Sequence, residues 1–165
     1  MLLTVFLAIV VCAAITLLLI SAVAFVQDKR MFSSAPKEAR EALLERDREP
    51  FYGARAMGWT LMILSALTIL GAGVVAVRDG FRNSYSFLPF FLRFVTIFTI
   101  YKIYDMVFFD WFLLCRFRFF QHYYPETAEA LRNRKYGFNL KSQLLKLLVI
   151  FPALSALAAW ICTLF

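Results

Sequence analysis

Four long apolar runs, separated by polar and charged segments, divide the chain. A bilayer core about 30 Å thick requires about 20 predominantly apolar residues in a helix, and each run reaches that length. The pattern therefore predicts an all-α integral membrane protein, one membrane domain over 1–165, whose four transmembrane helices cover about 2–26, 56–77, 87–115 and 144–165. The first run has no cationic segment before it and is longer than a usual signal-peptide core, so we interpret it as a retained span.

The two longer connections each contain a short charged segment with the composition of a helix. The segment 37–49 (KEAREALLERDRE) follows Pro36, and proline suits the first turn of a helix. The segment 125–135 (PETAEALRNRK) has Glu near its start and Arg and Lys at its end. Gly137 then suits a C-cap, and Asn139 can cap the next helix. We therefore expect short amphipathic helices at the membrane surface in both connections.

Small residues are frequent in the second apolar run. Such residues let neighbouring helices approach closely. The GxxxG spacing typical of helix dimers is absent, so we expect this surface to pack within the chain. Its members are Gly58, Ser65, Ala66, Gly71, Ala72, Gly73 and Ala76.

Cations are distributed unequally among the three connections. Only Arg78 and Arg82 lie between the second and third runs. The first and third connections hold many more, namely Lys29, Arg30, Lys37, Arg40, Arg46, Arg48 and Arg55, and Arg116, Arg118, Arg132, Arg134, Lys135 and Lys141. Cytoplasmic loops of membrane proteins carry an excess of Lys and Arg. The pattern therefore places both connections in the cytoplasm and both termini outside, in the inner (plasma) membrane of the cell.

The composition limits the kinds of molecule that the chain is expected to bind. The chain is 62% hydrophobic, with a mean hydropathy of +0.70. A net charge of +7 would also suit nucleic acid, but the cations lie between apolar runs and no nucleic-acid-binding motif is present. We therefore expect the lipid bilayer as partner, and no nucleic acid. With one histidine and three cysteines that lack CxxC spacing, we expect no metal site, no disulfide framework and no cofactor.

The third run carries a lysine and an aspartate near its midpoint. Lys102 and Asp105 lie about 20 Å from the outer end of the run, at about 1.5 Å per residue. An ionisable group at this depth costs about 2.5–3.5 kcal/mol on insertion scales, so it marks a functional site or a buried polar contact. The two residues share a helix face and can pair, although lysine before aspartate is the less favourable order. Tyr101 and Tyr104 flank them, and we predict an intramembrane polar site of these residues together with Asp110.

Two more charges of the third run have structural interpretations. Arg93 lies about two turns from the outer end, where its long side chain can extend to water at the interface. Arg93 and Lys146 are also the residues that we consider for ion pairing with this polar site. Asp110 lies one to two turns above the cytoplasmic end. At that depth Lys146 or Lys141 of the fourth run could reach it, so we expect a structural ion pair there.

Four elements of the last third of the chain form a recognisable order. They are Asp105, then 110–113 (DWFL), 125–129 (PETAE) and 136–139 (YGFN), with Asn139 where histidine is expected. This order resembles an uncharacterised family of small bacterial four-helix integral membrane proteins. The resemblance implies a membrane protein and directs attention to Asp105 and Asp110, and it implies no reaction.

Three functions are compatible with these features. We favour a non-enzymatic polytopic membrane protein that acts as a homo-oligomer or as a subunit of a larger membrane complex, with no catalytic residues. The alternative is a transporter or channel protomer in which Lys102 and Asp105 line a polar path. The third option is a lipid-acting membrane enzyme, for which no motif spacing is present. Its candidate residues would be Asp110, His122, Glu126 and Glu129.

Overall fold

The computed structural model describes residues 1–32, 35, 37–46, 48–132 and 140–164. Within these residues the chain is helical without strands, as predicted. Four helices are long and apolar enough to cross a membrane, by length and composition. They cover Leu2–Val26, Ala54–Arg82, Phe87–Arg116 and Leu140–Cys162, and we call them spans 1 to 4.

Three of the spans change from α-helical to π-helical hydrogen bonding. Span 1 is α-helical over Leu2–Ile20 and π-helical over Ser21–Val26. Span 3 is α-helical over Phe87–Tyr104 and π-helical over Asp105–Arg116. Span 4 comprises the α-helix Leu140–Leu145, the π-helical segment Lys146–Ile150 and the α-helix Phe151–Cys162. π-Helical turns are rare in proteins, and those that occur are often found at functional sites. The 12-residue segment Asp105–Arg116 in span 3 is therefore an unusual feature of the backbone.

Span 2 is longer than the apolar run that predicted it. The helix continues to Arg82, so the loop expected over 78–86 is reduced to a turn at 83–86. Ser84 adopts a left-handed backbone in this turn, with φ of 49°. Spans 2 and 3 therefore form an antiparallel helical hairpin, and the two helices contact each other beside the turn, for example at Gly80 and Phe90.

The small residues of span 2 form a close contact with span 1. A Cβ on Gly58 would lie 2.7 Å from a methyl carbon of Val26, and Ser65 and Ala76 are buried. This confirms the expected packing within the chain for one face of the helix. Gly71 and Gly73 are exposed, and a Cβ on either would meet nothing within 4 Å, so the expectation was wrong for them.

The first and third connections pack against each other at one end of the bundle. Three short helices, Lys37–Ala42, Phe119–Tyr123 and Ala128–Leu131, contribute to a buried apolar cluster there. The first of these ends at Ala42, earlier than the predicted 49, and the predictions for Pro36, 133–135, Gly137 and Asn139 lie outside the described residues. The cluster comprises Val23, Phe32, Ala35, Ala39, Leu43, Leu114, Phe120, Tyr124 and Leu131.

Candidate functional site

The lysine and aspartate at the middle of span 3 form an ion pair with each other. Lys102 Nζ contacts Asp105 Oδ2, and the two side chains are 4% and 19% exposed. Lys102 lies in the last turn of the α-helical part, and Asp105 is the first residue of the π-helical part. The structure therefore brings together the pair that the shared helix face made possible, in spite of the unfavourable residue order.

Asp105 and Asp110 line the same cavity, which lies between span 1 and span 3. In an α-helix, about 100° per residue would place residues five apart about 140° from each other. The π-helical segment hydrogen-bonds residue i to i+5 and so brings the two carboxylates to one side. The cavity has a volume of about 230 Å³ and otherwise has mainly apolar walls, including Ile15, Leu18, Leu19, Val23, Phe109, Leu113 and Leu114.

Asp110 has an amide rather than a cation as its hydrogen-bond partner. Gln143 Nε2 donates to Asp110 Oδ2 at 2.8 Å. Lys146 is exposed, and no ion pair of Asp110 occurs among the described residues, so the expected pair with Lys146 or Lys141 is not present there. A neutral amide loses less hydration free energy than an ammonium when it is buried, which favours Gln143 at this position.

The two tyrosines that flank Lys102 have different surroundings. Tyr104 and Thr16 are joined by their hydroxyls at 2.8 Å. Because Thr16 donates its proton to the Cys12 carbonyl at 2.8 Å, Tyr104 is the donor in this contact between spans 1 and 3. Tyr101 instead packs beside Phe151 of span 4, on a separate cavity of about 510 Å³. The predicted polar site is therefore divided between two sides of span 3.

Arg93 is buried, and its expected extension to water was wrong. Its guanidinium donates to Asp79 Oδ2 at 2.7 Å, to the Ala76 carbonyl at 2.7 Å and to the Tyr85 hydroxyl at 3.0 Å. The helical hairpin of spans 2 and 3 brings these acceptors to it. Sequence reasoning missed Asp79 because it placed this residue in a loop. An acid and a cation on either side of a short turn were the signal that could have revealed the pair.

A second polar cluster joins the first and third connections. Arg46 donates to Gln27 Oε1 and Glu126 Oε2, each at 3.4 Å, and its guanidinium lies 4.9 Å from the centre of the Tyr124 ring. Burial raises the pKa of the Tyr124 phenol above its ordinary value; the Arg46 guanidinium lowers this pKa, while Glu126 and Asp28 raise it further. Glu126 thus has a structural partner.

The residues considered for an enzyme do not converge. His122 lies edge-on to Tyr123, with ring centres 5.3 Å apart, in the short helix Phe119–Tyr123. Glu126 takes part in the cluster around Arg46, and Glu129 is exposed in the helix Ala128–Leu131. Among the residues that the structure describes, no group of three His, Cys, Asp or Glu side chains could hold a metal ion.

Comparison with family models, with curated proteins and with solved structures found no match to this chain. The resemblance to small bacterial four-helix membrane proteins therefore stays a prediction. The site is accordingly defined by geometry alone: two carboxylates, one paired with Lys102 and one held by Gln143, on an apolar cavity between spans 1 and 3.

Proposed function

We propose that the chain is a non-enzymatic multi-pass protein of the plasma membrane that acts as a homo-oligomer or as a subunit of a larger membrane complex. The observation that carries this proposal is the environment of Asp110. The cations of span 3 at positions 93 and 102 each have a carboxylate partner within the chain. Asp110 has no cationic partner among the described residues, so the compensation of its charge is left to a second protein chain.

The surface around Asp110 supports an intermolecular role. Besides the cavity between spans 1 and 3, Asp110 lines a second cavity of about 170 Å³ with Val107, Trp111 and Leu140. These three neighbours are 54%, 50% and 43% exposed, so this side of span 3 faces away from the bundle. A carboxylate beside exposed apolar residues is costly in lipid, and a cation or hydrogen-bond donor on a neighbouring helix would lower that cost.

The mass of the complex, extracted from its native membrane with lipid retained, tests the proposal. We expect a mass above that of one chain, and we expect Asp110→Asn to reduce the fraction of assembled protein. Asp79→Asn is the matched control, because it neutralises a carboxylate that is already paired within the chain. A single-chain mass for the wild type, or unchanged assembly in Asp110→Asn, would contradict the proposal.

The proposed topology places the first and third connections in the cytoplasm and both termini outside. The unequal distribution of cations supports it, and so does the packing of these two connections into one cluster. In a variant without native cysteines, a cysteine at exposed Arg30 and one at exposed Arg82 provide the test. A maleimide that does not cross membranes should label position 82, and not position 30, in intact cells.

The cavity shared by Asp105 and Asp110 favours a second candidate, a transporter or channel protomer. Its apolar walls and two carboxylates suit a small cation or a proton that enters between spans 1 and 3. Proton and potassium flux into liposomes that contain the protein should then be lost in Asp105→Asn. Because that change leaves Lys102 without its partner, Lys102→Met/Asp105→Asn is the charge-balanced control. Retained flux in Asp105→Asn would exclude this role for the pair.

A further inference from the structure

A basic cavity lies where span 1 ends and span 2 begins. It has a volume of about 680 Å³, and Val26 and Trp59 form part of its wall. Trp59 is 45% exposed and lies little more than one turn into span 2. The charged residues that line the cavity are four cations and two acids: Lys29, Arg30, Arg46 and Arg55, with Asp28 and Glu45. Cations therefore predominate in it.

The fold supports this cavity with a fixed polar framework. Gln27 adopts a left-handed backbone, with φ of 52°, which ends span 1 and turns the chain across the bundle end. Arg55 donates to the Arg46 carbonyl, and Arg46 is held by Gln27 and Glu126. The loop that carries Arg46 is thereby tied both to the start of span 2 and to the third connection.

Lys29 and Arg30 are the cations of this cavity that remain available. Both are exposed, and among the described residues neither side chain has a hydrogen-bond or ion-pair partner. The same two residues line an adjoining cavity of about 440 Å³ with Lys37, Arg40 and Glu41, where Lys37 already pairs with Glu41 at 3.7 Å. Lys29 and Arg30 thus line both basic cavities and lie between them.

We propose that this cavity binds the headgroup of an anionic phospholipid, with its phosphate at Lys29 and Arg30. The position at the ends of two spans, with a tryptophan in the wall, is typical of the headgroup level of a bilayer. Clusters of Lys and Arg next to a membrane helix bind anionic headgroups. Trp59, which is 45% exposed, offers apolar surface next to the cavity, which suits a lipid whose chains lie beside span 2. The proposal does not depend on Asp110 or on assembly.

Lipid retention by the purified full chain tests this site. The protein in a mild detergent is given an equimolar mixture of phosphatidylglycerol and phosphatidylcholine with matched acyl chains, and bound lipid is counted by native mass spectrometry. Each cation near an anionic surface contributes about fivefold to binding, so Lys29→Gln/Arg30→Gln should reduce retention of phosphatidylglycerol about thirtyfold. Arg78→Gln/Arg82→Gln is the matched control, because it removes two cations from the other end of the bundle.

The expected result is a preference of the wild type for phosphatidylglycerol, kept in the control and lost in Lys29→Gln/Arg30→Gln at unchanged helicity. Equal retention of both lipids by the wild type would overturn the proposal. An unchanged preference in Lys29→Gln/Arg30→Gln would do the same. Displacement of the lipid by an equimolar amount of inorganic phosphate or glycerol phosphate would show that the acyl chains contribute nothing to binding. That result would assign the cavity to a soluble phosphate instead, which also overturns the proposal.

Discussion

Removing the carboxylate of Asp79 should destabilise the protein through Arg93, which lies in a different span. Arg93 is 3% exposed at its side chain, and Asp79 is 29% exposed. Asp79→Ala leaves the guanidinium buried with an uncompensated charge. The Arg93 guanidinium keeps two hydrogen-bond acceptors, the Ala76 carbonyl and the Tyr85 hydroxyl, and its contact with the Tyr85 ring at 4.6 Å. The change therefore removes one strong interaction and leaves weaker ones in place.

The magnitude follows from these contacts. Removing one partner of a buried ion pair costs about 3–5 kcal/mol. Because Arg93 keeps its other acceptors and Asp79 is partly exposed, we expect a loss of about 2–3 kcal/mol in the free energy of unfolding. Asp79→Asn retains an oxygen that can accept from the guanidinium, so its loss should be about 1 kcal/mol.

Equilibrium unfolding in mixed micelles of a mild detergent and dodecyl sulfate, followed by circular dichroism, measures these losses. The control for the uncompensated charge of Arg93 is Asp79→Ala/Arg93→Met, which removes both charges. Replacing a buried pair by apolar residues is often nearly neutral, so the double variant should be more stable than Asp79→Ala alone. Strict additivity of the two single changes, or an Asp79→Ala variant as stable as the wild type, would refute the reasoning.

Three further predictions concern other contacts. Gly80→Ala should destabilise the hairpin, since its Cβ would lie 2.2 Å from an aromatic ring of span 3. Gly71→Ala should be neutral, or stabilising by up to about 1 kcal/mol, because no atom lies within 4 Å of the added Cβ. Thermal unfolding of the two variants checks this. A double-mutant cycle of Thr16→Val and Tyr104→Phe should give a coupling of about 0.6 kcal/mol, and a coupling near zero would show that the hydroxyl contact contributes nothing. The raised pKa of Tyr124 keeps its phenol neutral in the folded state. The free energy of unfolding should therefore fall as pH rises above about 10, where the phenol of the unfolded chain ionises. Tyr124→Phe should show a smaller fall, and identical pH profiles of the two proteins would contradict this.

Parts of the site were accessible to sequence reasoning, and parts were not. The spacing of Lys102 and Asp105 on one helix face correctly indicated that they could meet, because both belong to a single helix. The partner of Asp110 was mistaken, because several residues of span 4 lie within reach and the sequence does not state which of them faces it. Asp79 was missed because span 2 extends beyond its apolar run.

The sequence by itself determined the four long helices and the grouping of cations in two of the three connections. Both depend on local composition: an apolar run of sufficient length forms a helix that can cross a bilayer, wherever its neighbours lie. Only the tertiary structure decided the pairing of Arg93 with Asp79, because that contact requires the exact length of the turn between two spans. It also decided that Asp105 and Asp110 line one cavity. An ideal α-helix would separate them by about 140°, and the π-helical segment of span 3 brings them to one side.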